Sequence, residues 1–144
     1  MSQKLFELDG QVALVTGAGQ GMGLGVARSL ATQGARVVVN DYYPERAESA
    51  AAQLRSEGFE ACAAPGDITS AEVRDSIVAT AEREFGTVSI LVNNAGVPPG
   101  MPDSLRQFKD LADEDFELQL DLNLRAILGL TRRVMDGMVE QGHG

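Results

Sequence analysis

The residues best suited to chemistry are a run of glycines behind a short apolar segment. Thr16-Gly17-Ala18-Gly19-Gln20-Gly21-Met22-Gly23 follows Val12-Ala13-Leu14-Val15 and leads into residues 22–33, where Val26, Ala27 and Leu30 fall at helical spacing before Gly34. Strand, glycine turn and helix form the geometry that holds a pyrophosphate. Positions without side chains let the backbone come close, and the free N–H groups and dipole at the helix start attract negative charge. The next β-branched run, Arg36-Val37-Val38-Val39-Asn40-Asp41, ends in a carboxylate 18 residues beyond Gly23. An acid at roughly 20 residues can reach the ribose hydroxyls of a dinucleotide. A glycine turn alone is also an ordinary flexible connection, and it is Asp41 at this spacing that favours the dinucleotide. No Lys-Ser/Thr pair follows the glycines, which excludes a Walker-type triphosphate site.

The elements around these residues alternate. Residues 45–56 are Ala-rich and helical, with a stop near Gly58, and residues 61–64 form a weak third strand of mostly alanine. Thr69 with Glu72 three residues later predicts a capping box, opening a helix with Val73, Ile77, Ala81 and Phe85 on one face and a stop at Gly86. Val88-Ser89-Ile90-Leu91-Val92 predicts a fourth strand, apolar on both faces. Residues 97–110, with Pro98, Pro99, Gly100 and Pro102, read as a loop. A long helix is expected from about Asp113 to Met138, with Phe116, Leu120, Asn123, Ile127, Leu130 and Val134 in one stripe, and Leu118 and Leu122 on another side. Strands alternating with helices imply crossovers that build a parallel sheet covered on both faces, in one α/β domain.

Composition removes several functions. The 144 residues include 44% hydrophobic and 23% charged residues, ordinary for a globular protein. Acidic residues outnumber basic ones 21 to 12, for a formal charge of -9, which argues against nucleic acid or an anionic membrane as the main partner. With one cysteine (Cys62) and one histidine (His143), neither an internal disulfide nor a thiolate or histidine metal centre is expected. Residues 1–10 lack the apolar stretch of a signal peptide, and no run approaches membrane-spanning length, so a reduced, cytoplasmic setting is the default expectation.

Four motifs occur in order: Thr16-Gly17-x-x-x-Gly21-x-Gly23, Asp67 in Gly66-Asp67-Ile68, Asn93-Asn94-Ala95-Gly96, and Asn123 in the long helix. In this combination the chain resembles the short-chain dehydrogenase/reductase family up to about Arg133. The resemblance implies a Rossmann-type doubly wound sheet, here reaching the fourth strand and the long helix after it. It also implies that Gly17, Gly21 and Gly23, with Gln20 and Met22, cradle the cofactor pyrophosphate, that Asp41 holds the adenosine ribose, and that Asp67 and Ile68 flank the adenine. Asn93, Ala95 and Gly96 would stabilise the central sheet and, with Asn94, line the cofactor cleft. Asn123 would support a proton-relay water. Without the resemblance, Asp67 is equally a turn cap, Asn93-Asn94 a strand-ending turn, and Asn123 a satisfied core amide. The family's long helix packs against its equivalent in a second subunit, which implies a homo-oligomer; taken alone, the two-sided apolar character equally fits a helix buried within a longer chain.

A carboxylate at Asp41 accepts from ribose hydroxyls and repels a 2′-phosphate, while Tyr42 after it and Gln20 in the glycine turn bring no basic group. NAD(H) is therefore expected over NADP(H). In this family the following strand ends in a serine and the next helix carries Tyr-x-x-x-Lys, the proton-transfer group at the substrate oxygen. Here Gln141-Gly142-His143-Gly144 stands where that strand would begin, and the two tyrosines, Tyr42 and Tyr43, lie after the second strand with no Lys four positions on. The expectation is an NAD-binding domain over residues 1–144, the N-terminal part of an oxidoreductase for a small secondary alcohol or ketone, inactive alone. Two alternatives remain: a non-catalytic dinucleotide-binding or interaction module, and an S-adenosylmethionine-dependent methyltransferase, against which Asn93-Asn94-Ala95-Gly96 argues.

Overall fold

The computed structural model describes residues 6–99 and 107–144. Strands β1 (Val12–Val15), β2 (Arg36–Val39), β3 (Ala61–Ala63) and β4 (Ile90–Val92) form one parallel sheet in the order β3-β2-β1-β4. Helices α1 (Gly21–Thr32), α2 (Pro44–Ser56) and α3 (Ala71–Glu84) connect them. Beyond β4 come a 3₁₀ turn (Phe108–Asp110), α4 (Asp113–Leu120), a π-helical turn (Asp121–Ala126) and α5 (Ile127–Gln141). The expected doubly wound α/β sheet is present. Part of the loop expected at 97–110, residues 100–106, lies outside the described residues, as do the first five residues of the N-terminal segment.

Both faces of the sheet are covered, which explains why β1 and β2 read as unbroken apolar runs. Ala13, Val15, Val37 and Val39 pack under α1 and α2, while Val12, Leu14 and Val38 pack under α3, Leu122, Ala126 and α5. Alanine lets the first pair of helices lie close: α1 buries Gly23, Ala27 and Ala31, and α2 buries Ala47, Ala50, Ala51 and Leu54. Arg28 of α1 grips Glu57 with two hydrogen bonds of 2.8 and 3.0 Å, joining the far ends of these helices.

Three expectations need correction. The helix after β3 is capped by Ser70, whose hydroxyl accepts from the Val73 N–H at 3.4 Å and donates to Glu72 at 2.8 Å. Thr69 is instead drawn into a turn by Asp67, which accepts from both its N–H and its hydroxyl. The fourth strand is shorter than expected, because the Ser89 hydroxyl accepts the Val12 N–H at 3.1 Å just before β4 begins. Its residues are half-buried, as befits a strand at the edge of the sheet.

The long helix runs to Gln141; Leu130 and Val134 are buried as expected, but before them the buried residues are Leu122 and Ala126. Leu120 and Asn123 are exposed. The π-helical turn inserts a residue into the helical count, so the phase set by Phe116 and Leu120 does not continue past it. Leu124, Leu128, Met135 and Val139 lie on the exposed side, each at least half exposed. No helix among the described residues is long and apolar enough to cross a membrane.

The capping geometry is directly measurable. Ser70→Ala is expected to cost about 1 kcal/mol of stability in urea unfolding. Thr69→Ala should cost less, and the reverse order would return the cap to Thr69.

Candidate functional site

The site begins where β1 ends. Thr16 is fully buried, and Gly17 and Gly21 take positive φ angles of 61° and 58° that favour glycine. A Cβ on Gly17 would lie 3.0 Å from the Ala95 Cα, and one on Gly23 would strike the Gly17 carbonyl oxygen and stand 2.5 Å from the Asn94 Nδ2. At Gly21 a Cβ would meet nothing within 4 Å. The turn is thus packed tightly from behind and open in front, the form a cradle for a pyrophosphate requires.

The start of α1 suits an anion. Gln20 precedes it in extended conformation (φ -161°) with no side-chain cap, and the first turn holds no acidic residue, so the first N–H groups keep their partial positive charge. Exposed Gln20 and Met22 flank this end; Met22 is 84% exposed.

Behind the turn, two strand ends are joined. The Asn94 and Ala95 N–H groups both donate to Thr16 Oγ1 at 3.1 Å. The Asn94 side-chain amide donates to the carbonyls of Thr16 (3.0 Å) and Gly17 (3.1 Å). Asn94, rather than Asn93, therefore ties the central sheet together; Asn93 is exposed at the end of β4. Asn123, presented from the π-helical turn, donates to the Gly96 carbonyl at 3.2 Å and to Gln119 at 2.7 Å.

On the other side, Asp41 is 6% exposed, and its carboxylate accepts from the Gly19 N–H (3.0 Å) and the Tyr43 N–H (3.1 Å). It is fixed against the glycine turn at the end of β2. Asp67 Oδ1 holds the Thr69 turn, while its other oxygen takes no hydrogen bond among the described residues. The Ile68 side chain packs into the core, leaving its backbone at the turn. Most of the expected site residues thus gather into three places at the C-terminal ends of the strands: the glycine turn with Asn94 and Ala95, Asp41 beside Gly19, and the Asp67–Ile68 turn; Asn123 meets Gly96 beyond β4.

Two supporting residues escaped the sequence. Asn40, 1% exposed, donates to the carbonyls of Ala64 (2.9 Å) and Gly66 (3.2 Å), fastening the Asp67 turn to β2. Its only signal was a polar residue at the end of an apolar strand. Arg74 of α3 donates to the carbonyls of Ile68 (2.6 Å) and Thr69 (2.9 Å). It passes so close to α5 that a Cβ on Gly129 would lie 2.7 Å from its Nε. Burial and the neighbouring Arg133 charge push the Arg74 pKa down, and its Nε is buried without a hydrogen bond.

Cys62 is a poor candidate for a nucleophile. Burial pushes its thiol up to about 11, leaving about one part in a thousand ionised at pH 8. No group of three His, Cys, Asp or Glu residues among those described could hold a metal ion.

The family model described as short chain dehydrogenase matches residues 11–144. The chain is 39% identical over 138 residues to 2,3-dihydro-2,3-dihydroxybenzoate dehydrogenase of Bacillus subtilis, covering 95% of this chain and 51% of that protein. It is 34% identical to 5-keto-D-gluconate 5-reductase of Escherichia coli, covering 97% and 53%. Among solved structures, L-sorbose reductase from Gluconobacter frateurii, complexed with NADPH and L-sorbose, superposes with a TM-score of 0.85 at 30% identity, over 97% of this chain and 51% of that one. The chain spans about half the length of the curated relatives it matches.

Two measurements probe the site's construction. Thr16→Val leaves the half-buried Ala95 N–H without an acceptor and the Asn94 N–H with only the Val92 carbonyl, and is expected to destabilise the chain by about 1–3 kcal/mol, with Thr16→Ser restoring most of the loss in urea titrations. Cys62 is expected to react slowly with a disulfide reagent at pH 8 while folded and rapidly in urea.

Proposed function

The chain belongs to the short-chain dehydrogenase family, and from that premise we propose that these residues form the NAD(H)-binding part of an oxidoreductase interconverting a secondary alcohol and a ketone. The observation that carries the reading is the glycine turn, closed behind by Asn94 and Ala95 and open in front at Gly21 before an uncapped helix. Members of this family bind a nicotinamide dinucleotide, and its dehydrogenases act on small molecules.

In the proposed arrangement the pyrophosphate lies at Gly17, Gly21 and Gly23 and the start of α1, with Gln20 and Met22 beside it. Asp41 accepts from the ribose hydroxyls, which favours NAD(H). Asp67 and the Ile68 backbone border the adenine, and Asn94, Ala95 and Gly96 form the wall of the cleft. The bound nicotinamide supplies or accepts a hydride. Asn123, already bonded to the Gly96 carbonyl, would hold a water for proton relay. The reading carries with it a small alcohol or ketone substrate, a cytoplasmic setting and a homo-oligomer formed through α4 and α5. Exposed Leu124, Leu128, Met135 and Val139 support the last of these.

Hydride transfer also needs a positioned proton donor or acceptor at the substrate oxygen, and these 144 residues contain no Tyr-x-x-x-Lys motif to supply one. The chain should therefore bind and not turn over. With no tryptophan to interfere, binding can be followed by the fluorescence of NADH itself. Saturable, weak binding displaced by ADP and not by nicotinamide mononucleotide is expected, with no NADH formed from NAD and a panel of secondary alcohols. Absence of saturable binding would overturn the cofactor reading, and measurable dehydrogenation would overturn the assignment of the missing proton-transfer step.

A further inference from the structure

The turn that carries Asp67 hangs between two supports. On the β2 side Asn40 donates to the Ala64 and Gly66 carbonyls. On the α3 side a single nitrogen, Arg74 Nη1, donates to both the Ile68 (2.6 Å) and Thr69 (2.9 Å) carbonyls. Asp67 is the residue between these anchors. One of its carboxylate oxygens holds Thr69, and the other takes no hydrogen bond among the described residues.

Arg74 keeps its place at a cost. Its Nε is buried without a hydrogen bond, and the Arg133 charge stands near it. An unpartnered buried donor and a cation beside a cation both destabilise, so an apolar side chain of similar length would serve packing alone better. From the far side α5 presses on the guanidinium: a Cβ on Gly129 would lie 2.7 Å from Nε, 2.9 Å from Cζ and 3.0 Å from Nη2. Arg133 fixes that separation by pairing with Asp75 and donating to the Gly129 and Ala71 carbonyls. The missing side chain at position 129 thus makes room for the group that grips the turn.

We propose that Arg74 is a positioning residue for the adenine: by holding the Ile68 and Thr69 carbonyls it sets where the second Asp67 oxygen points, so that the site accepts from a purine 6-amino group and disfavours a 6-oxo group. The inference rests on the cofactor reading above and deepens it.

The test uses ADP and IDP, which differ at that purine position, each displacing NADH from the 144-residue chain. Wild type should favour ADP by roughly five-fold, the worth of one exposed hydrogen bond to a carboxylate. Arg74→Met and Gly129→Ala should each bring the ratio within about two-fold by weakening ADP while IDP changes little, and Arg74→Lys should restore part of it. Alanine suits a helix better than glycine and the guanidinium is the flexible partner, so Gly129→Ala displaces Arg74 without unfolding the chain. Added to Arg74→Met, it should change nothing further. An unchanged ratio in either single variant, or equal losses for both nucleotides, would overturn the proposal, as would a Gly129→Ala effect that persists in the Arg74→Met background. If wild type binds ADP and IDP equally, the proposal falls while the cofactor reading stands. If it binds neither, both fall.

Discussion

Thr16 Oγ1 accepts the backbone N–H groups of Asn94 and Ala95, while the Asn94 amide returns two hydrogen bonds to the carbonyls of Thr16 and Gly17. The turns that leave β1 and β4 are therefore held as one unit, although 78 residues separate Thr16 from Asn94. These groups are buried or half-buried, and losing one partner would leave others unsatisfied, which costs more than the bond itself contributes. Much of the site depends on this junction. It places the Gly17 carbonyl where only a glycine fits at position 23, which sets how closely α1 approaches the sheet and where its uncapped N-terminus points.

Asp41 and Asn40 extend the same logic to the other side. Each sits at the end of β2 and is occupied by backbone groups of a neighbouring turn, Asp41 by Gly19 and Asn40 by Ala64 and Gly66. Three loops that leave the same end of a parallel sheet are stitched together by side chains one or two residues past the strands. Ligand sites of open α/β sheets lie at this end. The polar residues there serve the fold first, and a place suited to an anion follows from where the fold leaves the start of α1 uncapped.

What could be read in the sequence is what depends on local chemistry. The continuous apolar runs of β1 and β2, the glycines, and the helix-stopping residues Gly34, Gly58 and Gly86 all act through backbone conformation or burial within a few residues. The cap at Ser70 was displaced to Thr69 because both residue types can cap, and only Asp67 claiming Thr69 decides between them. On the long helix Leu130 and Val134 are buried as expected, but the first half of the stripe was misassigned because a π-helical turn breaks the 3.6-residue period without any glycine or proline to announce it. Arg74 and Arg46 were invisible for a different reason. Each acts on a segment brought to it by packing, Arg74 against the Ile68–Thr69 carbonyls and Gly129, Arg46 against Gly19 and Tyr43.

On the proposed reading binding and chemistry are separable, and the two tyrosines show why. A proton donor for a substrate oxygen must stand near the hydride-transferring end of a bound dinucleotide. Tyr42 and Tyr43 instead follow β2, where the Tyr43 N–H supports the Asp41 carboxylate and the Tyr43 ring is covered by Arg46. They are committed to the end that would hold the adenosine. On the proposed reading the four strands and their turns would recognise the nucleotide, and these residues hold no Tyr-x-x-x-Lys motif to move a substrate's proton. A sheet whose edge strand β4 is only half-buried, beside a helix with exposed leucines, still has surface available for further packing. Any element that brought a proton donor to the Asn123 and Gly96 side of the cleft would meet a helix already fixed there by the Asn123 bond to the Gly96 carbonyl.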